Sequence, residues 1–196
     1  MRTVIVFNHP NEGSYCNAIL QSVTQGLQNA GHEVDLMHLD NDRFNPAMSK
    51  ADLKAFVDHQ PIDPQVIDYN ERLKKAEHLI FIFPIWWDIM PATTKGFIDR
   101  VLGPGVMYDH HPRGFGLVPL LKNLSSITII TTMNKPKILY ALLFGNLIRR
   151  VMLKSVFKTM GYKNLHWISF TSVKSVNREK RIKWLSDLKT RFSKLK

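Results

Sequence analysis

Cysteine is almost missing from this chain of 196 residues: Cys16 is the only one. A lone thiol excludes an internal disulfide, so the fold must be held by its core, and a reducing cytoplasmic setting is expected. Long apolar runs are missing as well. The stretch from Ile138 to Ile148 is too short to span a bilayer and is closed by Arg149-Arg150, so membrane insertion is not expected. The first apolar run, Val4 to Phe7, is strand-length and no leader. There are no repeats and no low-complexity segments. Two glycine fingerprints are also wanting. Gly103 and Gly105 are followed by Tyr108 where a G-x-G-x-x-G would need its third glycine, and no G-x-x-x-x-G-K-[ST] occurs, which argues against the usual nucleotide loops. His110-His111 stand without a carboxylate or cysteine cluster, so no metal site is expected. Acid is absent over one long segment: from His110 through Arg178 there are 11 Lys or Arg and no Asp or Glu, in a chain of net charge +11. Such a field favours anionic partners such as phosphates, dinucleotides, nucleic acid or lipid; it also suits a merely solvated surface.

The composition, 44% hydrophobic and 22% charged, suits one domain over residues 1–196. Short β-branched runs read as buried strands at 3–8, 78–84, 125–131 and 164–170, and the alternating 33–39 reads as a strand with a polar side, an edge. Between them lie helix-period segments. One covers 14–30, with Ser14 as N-cap and Gly31 as stop. Another runs from Asp63-Pro64 to about Ala76, a third over 93–102, and a long one over about 137–160, stopped by Gly161. Residues 104–117 read as a Gly- and Pro-punctuated loop, and Asn177 caps a basic terminal helix. Strands alternating with helices predict an α/β three-layer sandwich with a five-stranded parallel sheet. Right-handed crossovers favour the order 2-1-3-4-5. That order puts ligands beyond the carboxyl ends of strands 1, 3 and 4, at loops 8–16, 84–92 and 131–137.

The first of these loops, Asn8 to Asn17, opens a helix. Its backbone N–H groups and the Ser14 hydroxyl can hold a phosphate, although taken alone an ordinary capped turn is the plainer reading. The second carries Trp86 and Trp87 directly after a buried strand. Two adjacent indoles cannot both face one core, because successive side chains alternate. They offer a stacking surface for a planar ligand, or else they cover the sheet end or a subunit contact.

The stretch Phe83 to Val101, FPIWWDIMPATTKGFIDRV, resembles the signature F-P-x-x-W-x-x-x-P-A-x-x-K-G-x-x-[DE]-R-V of the flavin-dependent NAD(P)H quinone reductases. DT-diaphorase, the modulator of drug activity B and the ancillary proteins of potassium efflux systems belong to that family. His9 with Ser14-Tyr15-Cys16 is similar to its first loop, and Thr131-Thr132 to the loop after its fourth strand. The resemblance covers about residues 1–135 well and the remainder loosely.

It implies a flavodoxin-like fold, FAD with FMN as the alternative, and two-electron reduction of quinones by NADPH or NADH in a ping-pong exchange through the flavin N5. His9, Ser14, Tyr15 and Cys16 would lie along the ribityl and phosphate groups. Pro84, Ile85, Trp86 and Trp87 would line the isoalloxazine, with Thr131, Thr132, Met133 and Asn134 on its far side. Tyr108 would wall the substrate pocket as the catalytic aromatic. A homodimer is implied too. The chain departs from the pattern at Cys16, a poor donor where relatives carry Asn, at Asp88, and at Met133-Asn134-Lys135-Pro136 in place of a Gly-Gly turn. Tyr140 is a candidate for the family's tyrosine. Two other readings stay open: a regulatory ancillary subunit of a potassium efflux system, and a basic nucleic-acid-binding domain suggested by charge alone.

Overall fold

The computed structural model describes residues 1–195. Its central sheet contains β1 (Arg2–Phe7), β2 (Glu33–His38), β3 (His78–Pro84), β6 (Ser126–Thr132) and β7 (Leu165–Phe170). They pair in parallel in the order β2-β1-β3-β6-β7, which is the expected 2-1-3-4-5 counted over sheet strands alone. Strand β3, flanked on both sides, is buried at every position, as the apolar run that follows His78 requires. Edge strand β2 leaves Glu33 and Leu36 exposed, and its half-buried Asp35 is gripped by Arg2 and Arg72.

Helices cover both faces. On one lie α1 (Tyr15–Asn29) and α6 (Arg178–Phe192), which bury Ile19, Val23, Leu27, Leu188 and Phe192 against Ile5, Phe7, Ile80, Ile82 and Ile130. On the other, α3 (Pro64–Lys74), α4 (Ala92–Val101) and the segment 140–160 enclose Phe81, Phe83, Phe97 and Phe157. Each fully buried Phe or Ile contributes about 1.5–3 kcal/mol relative to exposure. The helix starts follow the sequence signals: Ser14 accepts from the Asn17 N–H, Asp63 from Gln65 and Asn177 from Lys180.

Two expectations need correction, and one helix lies outside them. The segment 137–160 is not one helix. It breaks into α5 (Lys137–Phe144) and a wider π-helical segment, Arg149–Lys158, because Gly145 and Asn146 both take left-handed conformations that end α5. The loop 104–117 holds most of a small antiparallel hairpin, β4 (Tyr108–His110) and β5 (Leu117–Pro119). A further helix, α2 (Lys50–Val57), starts at a reciprocal capping box in which Ser49 and Asp52 satisfy each other's backbone N–H.

Arg100 of the signature stretch has structural work. The Arg100 guanidinium, 4% exposed, binds Asp52 at 2.9 Å and Asp63 at 2.8 Å, joining the starts of α2 and α3. Among the described residues, no helix is long and apolar enough to cross a membrane.

Candidate functional site

Parallel strands all deliver their loops to one edge, and β1, β3 and β6 end side by side there. The first loop is built on Asn8. Its amide donates to Asp40 at 2.8 Å and accepts from Thr94 Oγ1 at 2.9 Å, tying the end of β1 to the chain after β2 and to α4. His9 Nδ1 accepts from the Asn11 N–H at 3.0 Å, which leaves Nε2 as the ring's donor. Burial lowers the His9 pKa, against an opposing pull from Asp40, so the ring is neutral near pH 7. Asn11 Oδ1 caps the Gly13 N–H, and Ser14 then opens α1. The first-turn N–H groups of that helix lie at its positive end, where an anion is stabilised.

The second loop is a tight turn. Trp86 and Ile89 exchange two backbone hydrogen bonds, at 3.0 and 3.1 Å, while Trp87 and Asp88 sit at φ 48° and 68°. Both central residues are left-handed, a geometry that ordinarily calls for Asn-Gly. A tryptophan held there is strained by about 1–3 kcal/mol, so its surroundings must hold it. They do so from the third loop and from α5. Lys135 Nζ binds both Asp88 carboxylate oxygens, at 2.5 and 2.7 Å, and Tyr140 Oη donates to the Asp88 carbonyl at 2.8 Å. Tyr140 is fully buried and its oxygen accepts the Ile148 N–H at 3.1 Å, so one hydroxyl joins the turn, α5 and the start of the π-helical segment. Burial raises the Tyr140 pKa, keeping it a donor.

Between these loops lies a cleft of about 230 Å³ lined by Ile85, Trp87, Asp88, Met133, Asn134 and Lys135. Trp86 flanks it with its ring 6.1 Å from that of His9, and Trp87 projects almost wholly into solvent. The sequence-derived residues His9, Ile85, Trp86, Trp87, Met133 and Asn134 are therefore brought together, with Ser14 at the head of α1 and Pro84 as the last residue of β3.

Five others turn elsewhere. Thr131 and Thr132 face opposite sides of β6: Thr131 Oγ1 accepts from Trp167 Nε1 at 2.9 Å, and Thr132 Oγ1 meets Cys16 Sγ at 3.2 Å. Cys16 is buried, and burial pushes its thiol up to about 11. Tyr15 donates to the Arg181 carbonyl on α6 at 2.9 Å. Tyr108 lies on the β4–β5 hairpin, beside a separate cavity of about 430 Å³ lined by Ile98, Leu102, Leu117, Val156 and Met160.

Sequence reasoning missed Lys135 as the partner of Asp88, since the two are 47 positions apart. The charge at Asp88 is thus compensated. Replacing Tyr140 with Phe should lower stability by about 1–3 kcal/mol, because it frees the turn and strands the Ile148 N–H. Urea unfolding measures this, and a midpoint equal to that of the parent would refute the clamp.

The flavodoxin-like fold family matches residues 1–191, and the chain belongs to it. Among its relatives are proteins named as NAD(P)H oxidoreductases. An uncharacterized NAD(P)H oxidoreductase of Haemophilus influenzae is 26% identical over 185 residues, spanning 92% of this chain and 89% of that one. A ribosyldihydronicotinamide dehydrogenase-like protein of Penicillium crustosum is 29% identical over 116 residues, spanning 52% of this chain and 43% of that protein. Among solved structures, the NAD(P)H:quinone oxidoreductase of Methanothermobacter marburgensis superposes with a TM-score of 0.88 at 24% identity, over 100% of this chain and 99% of that one. The family expected from Phe83–Val101 is borne out.

Proposed function

We propose that this protein is a flavin-dependent NAD(P)H oxidoreductase that reduces quinones or similar acceptors by two electrons, with FAD as the preferred flavin. The observation that carries the reading is the placement, at one edge of the sheet, of a neutral His9 beside the exposed Trp86, the N-terminus of α1, and a cleft under the exposed Trp87 whose strained wall is clamped from behind. Those groups fit the two ends of a flavin nucleotide. The Tyr15 and Cys16 N–H groups, the Ser14 cap and the His9 Nε2–H suit phosphate and ribityl oxygens. The faces of Trp86 and Trp87 suit a flat heteroaromatic ring, with the main-chain N–H groups of Trp87 and Asp88, the two in the 85–88 turn not already given to backbone carbonyls, toward its polar edge.

When bound, the flavin supplies the two-electron chemistry, accepting hydride from NAD(P)H and passing it to the acceptor. The chain's own residues orient the ligands and set the local field. Tyr140 and Lys135 hold the turn in one shape, so that its N–H groups are fixed before any charge develops beside them. The Asp88–Lys135 pair leaves no unpaired carboxylate to repel a reduced, anionic ring. The acid-free segment 110–178 favours NADPH through its additional phosphate. A homodimer that closes the cleft belongs to this reading.

The visible spectrum of the purified protein, before and after reconstitution with FAD or FMN, tests it. A flavin that bleaches with NADPH and recovers with a quinone is expected. A protein that takes up neither flavin would end the proposal.

A further inference from the structure

The opposite edge of the sheet, where the strands begin, holds a separate cavity of about 200 Å³. Strand β3, seven residues long, sets it about 20 Å from the cleft. Its floor belongs to the face of the sheet that α1 and α6 cover. His78 opens β3 there, its register partner Ser126 opens β6, and Thr128 pairs with His166 on β7. These four share one face, because they alternate in step with Ile80, Ile82, Ile130 and Ile168. The last turn of α6 closes the cavity with Arg191 and Phe192.

His78 is the deep member of this group. It is 2% exposed, its Nε2 lies 3.0 Å from Thr128 Oγ1, and its Nδ1 is buried with no hydrogen-bond partner among the described residues. When the Thr128 hydroxyl donates to Nε2, the neutral ring carries its proton on Nδ1. A buried polar atom without a partner is rare in a native fold, and a bound ligand is one thing that satisfies it.

Around His78 the lining offers donors and positive charge. The exposed Arg191 and His166 reach it from α6 and β7, and no Asp or Glu lines it. The nearby main-chain acceptors are already taken. The Ser125 carbonyl accepts from Asn164 Nδ2, the Asn164 carbonyl from the Ile127 N–H, and the Glu77 carbonyl from Ser125. The final carbonyls of α6, from Lys189 to Phe192, all accept hydrogen bonds, so the negative end of that helix is capped.

We propose that this cavity binds a tetrahedral oxyanion, a phosphate group, between Arg191 and His166 on one side and Ser126 and His78 on the other. Donors that arrive from three strands and a helix suit a tetrahedral group better than a planar carboxylate, and the guanidinium supplies charge-assisted bonds. A metal ion is the poorer occupant, because among the described residues no three His, Cys, Asp or Glu side chains are placed to hold one. Free phosphate and a small phosphomonoester share this chemistry. The site lies at the other end of the sheet from the start of α1 and does not depend on the flavin reading.

Calorimetric titration of the full chain at pH 7 tests the proposal, with inorganic phosphate in one arm and glycerol 3-phosphate in the other. Sodium chloride holds the ionic strength constant. Binding is expected, with a melting temperature raised by roughly 5–10 °C at a hundredfold excess over the dissociation constant. R191Q and H166Q should each weaken it by about tenfold or more, whereas S14A, which alters the start of α1, should keep it. The ring resonances of His78 and His166 should move with phosphate and not with chloride. Both substituted side chains in the cavity are exposed, and circular dichroism verifies that the variants fold.

Tighter binding of the free ion or of the ester supports the site and identifies its source. A chain that binds neither probe would overturn the proposal. So would binding that R191Q and H166Q retain and S14A removes, which would assign the anion to the start of α1.

Discussion

Gly96→Ala should lower the melting temperature by roughly 6–12 °C, the equivalent of about 3 kcal/mol in a protein of this size. Gly96 lies on α4, and a Cβ placed there would come within 2.3 Å of the Pro46 carbonyl oxygen and 2.4 Å of its Cα. Those are backbone atoms, so no side-chain rotation relieves the clash. Either α4 moves off the sheet or the segment before α2 moves off α4. Both motions disturb the site, because α4 carries Thr94, the hydroxyl that holds Asn8, and the Arg100 that joins the starts of α2 and α3. Under the proposed reading, flavin uptake should therefore fall along with stability. Gly103→Ala is the control: its Cβ would sit 3.5 Å from the Phe56 ring, an ordinary contact. Thermal unfolding of the two variants decides the matter. Equal melting temperatures would show that the approach of Pro46 to α4 is not tight.

Acid should destabilise the fold through His78, by about 3 kcal/mol between neutral pH and pH 4. His78 begins β3, is 2% exposed, and shares a hydrogen bond of 3.0 Å with Thr128 through Nε2. Burial lowers its pKa from 6.5 to about 4, and His166 and His32 push in the same direction. The unfolded chain therefore takes up a proton that the folded chain refuses. The stabilisation is complete above about pH 6.5, is lost as the pH falls from there to about 4, and does not change further below that. Urea unfolding of the parent and of His78→Gln across this range provides the measurement. The variant should lose its disadvantage as the pH drops. Parallel stability curves would mean that His78 is protonated in the native state.

Much of the fold is legible in the sequence because parallel strands buried on both faces leave little choice of residue. His78–Pro84 and Ser126–Thr132 are apolar or β-branched runs that water could not accommodate, and the helix starts at Ser14, Asp63 and Asn177 are marked by side chains that accept backbone N–H groups. The break at Gly145-Asn146 is less legible. The apolar period continues from α5 into Met152, Leu153 and Phe157, and the period alone does not record that the backbone turns left-handed in between. Helix α2 had a signal, Ser49 and Asp52 at capping-box spacing, although Ala55 is the one residue it buries. Of the candidate site, the strand ends and the tandem indoles could be read directly. The side chains that fix the second indole could not, since Lys135 and Tyr140 lie 47 and 52 residues beyond Asp88 and meet it through β6. Thr131 and Thr132 illustrate a simpler limit: adjacent residues on a strand face opposite ways, so a two-residue match cannot place both at one ligand.

Quinones are electrophiles as well as oxidants, and they alkylate accessible thiolates. Under the proposed reading the chain would meet such compounds at every turnover. Its one sulfhydryl, Cys16, stands at the head of α1 near the site, yet it is 2% exposed, hydrogen-bonded to Thr132 and protonated up to about pH 11. The thiolate is the reactive species, and here it is both scarce and covered. Turning that side chain into the fold gives the catalyst a built-in resistance to arylation by its own substrate.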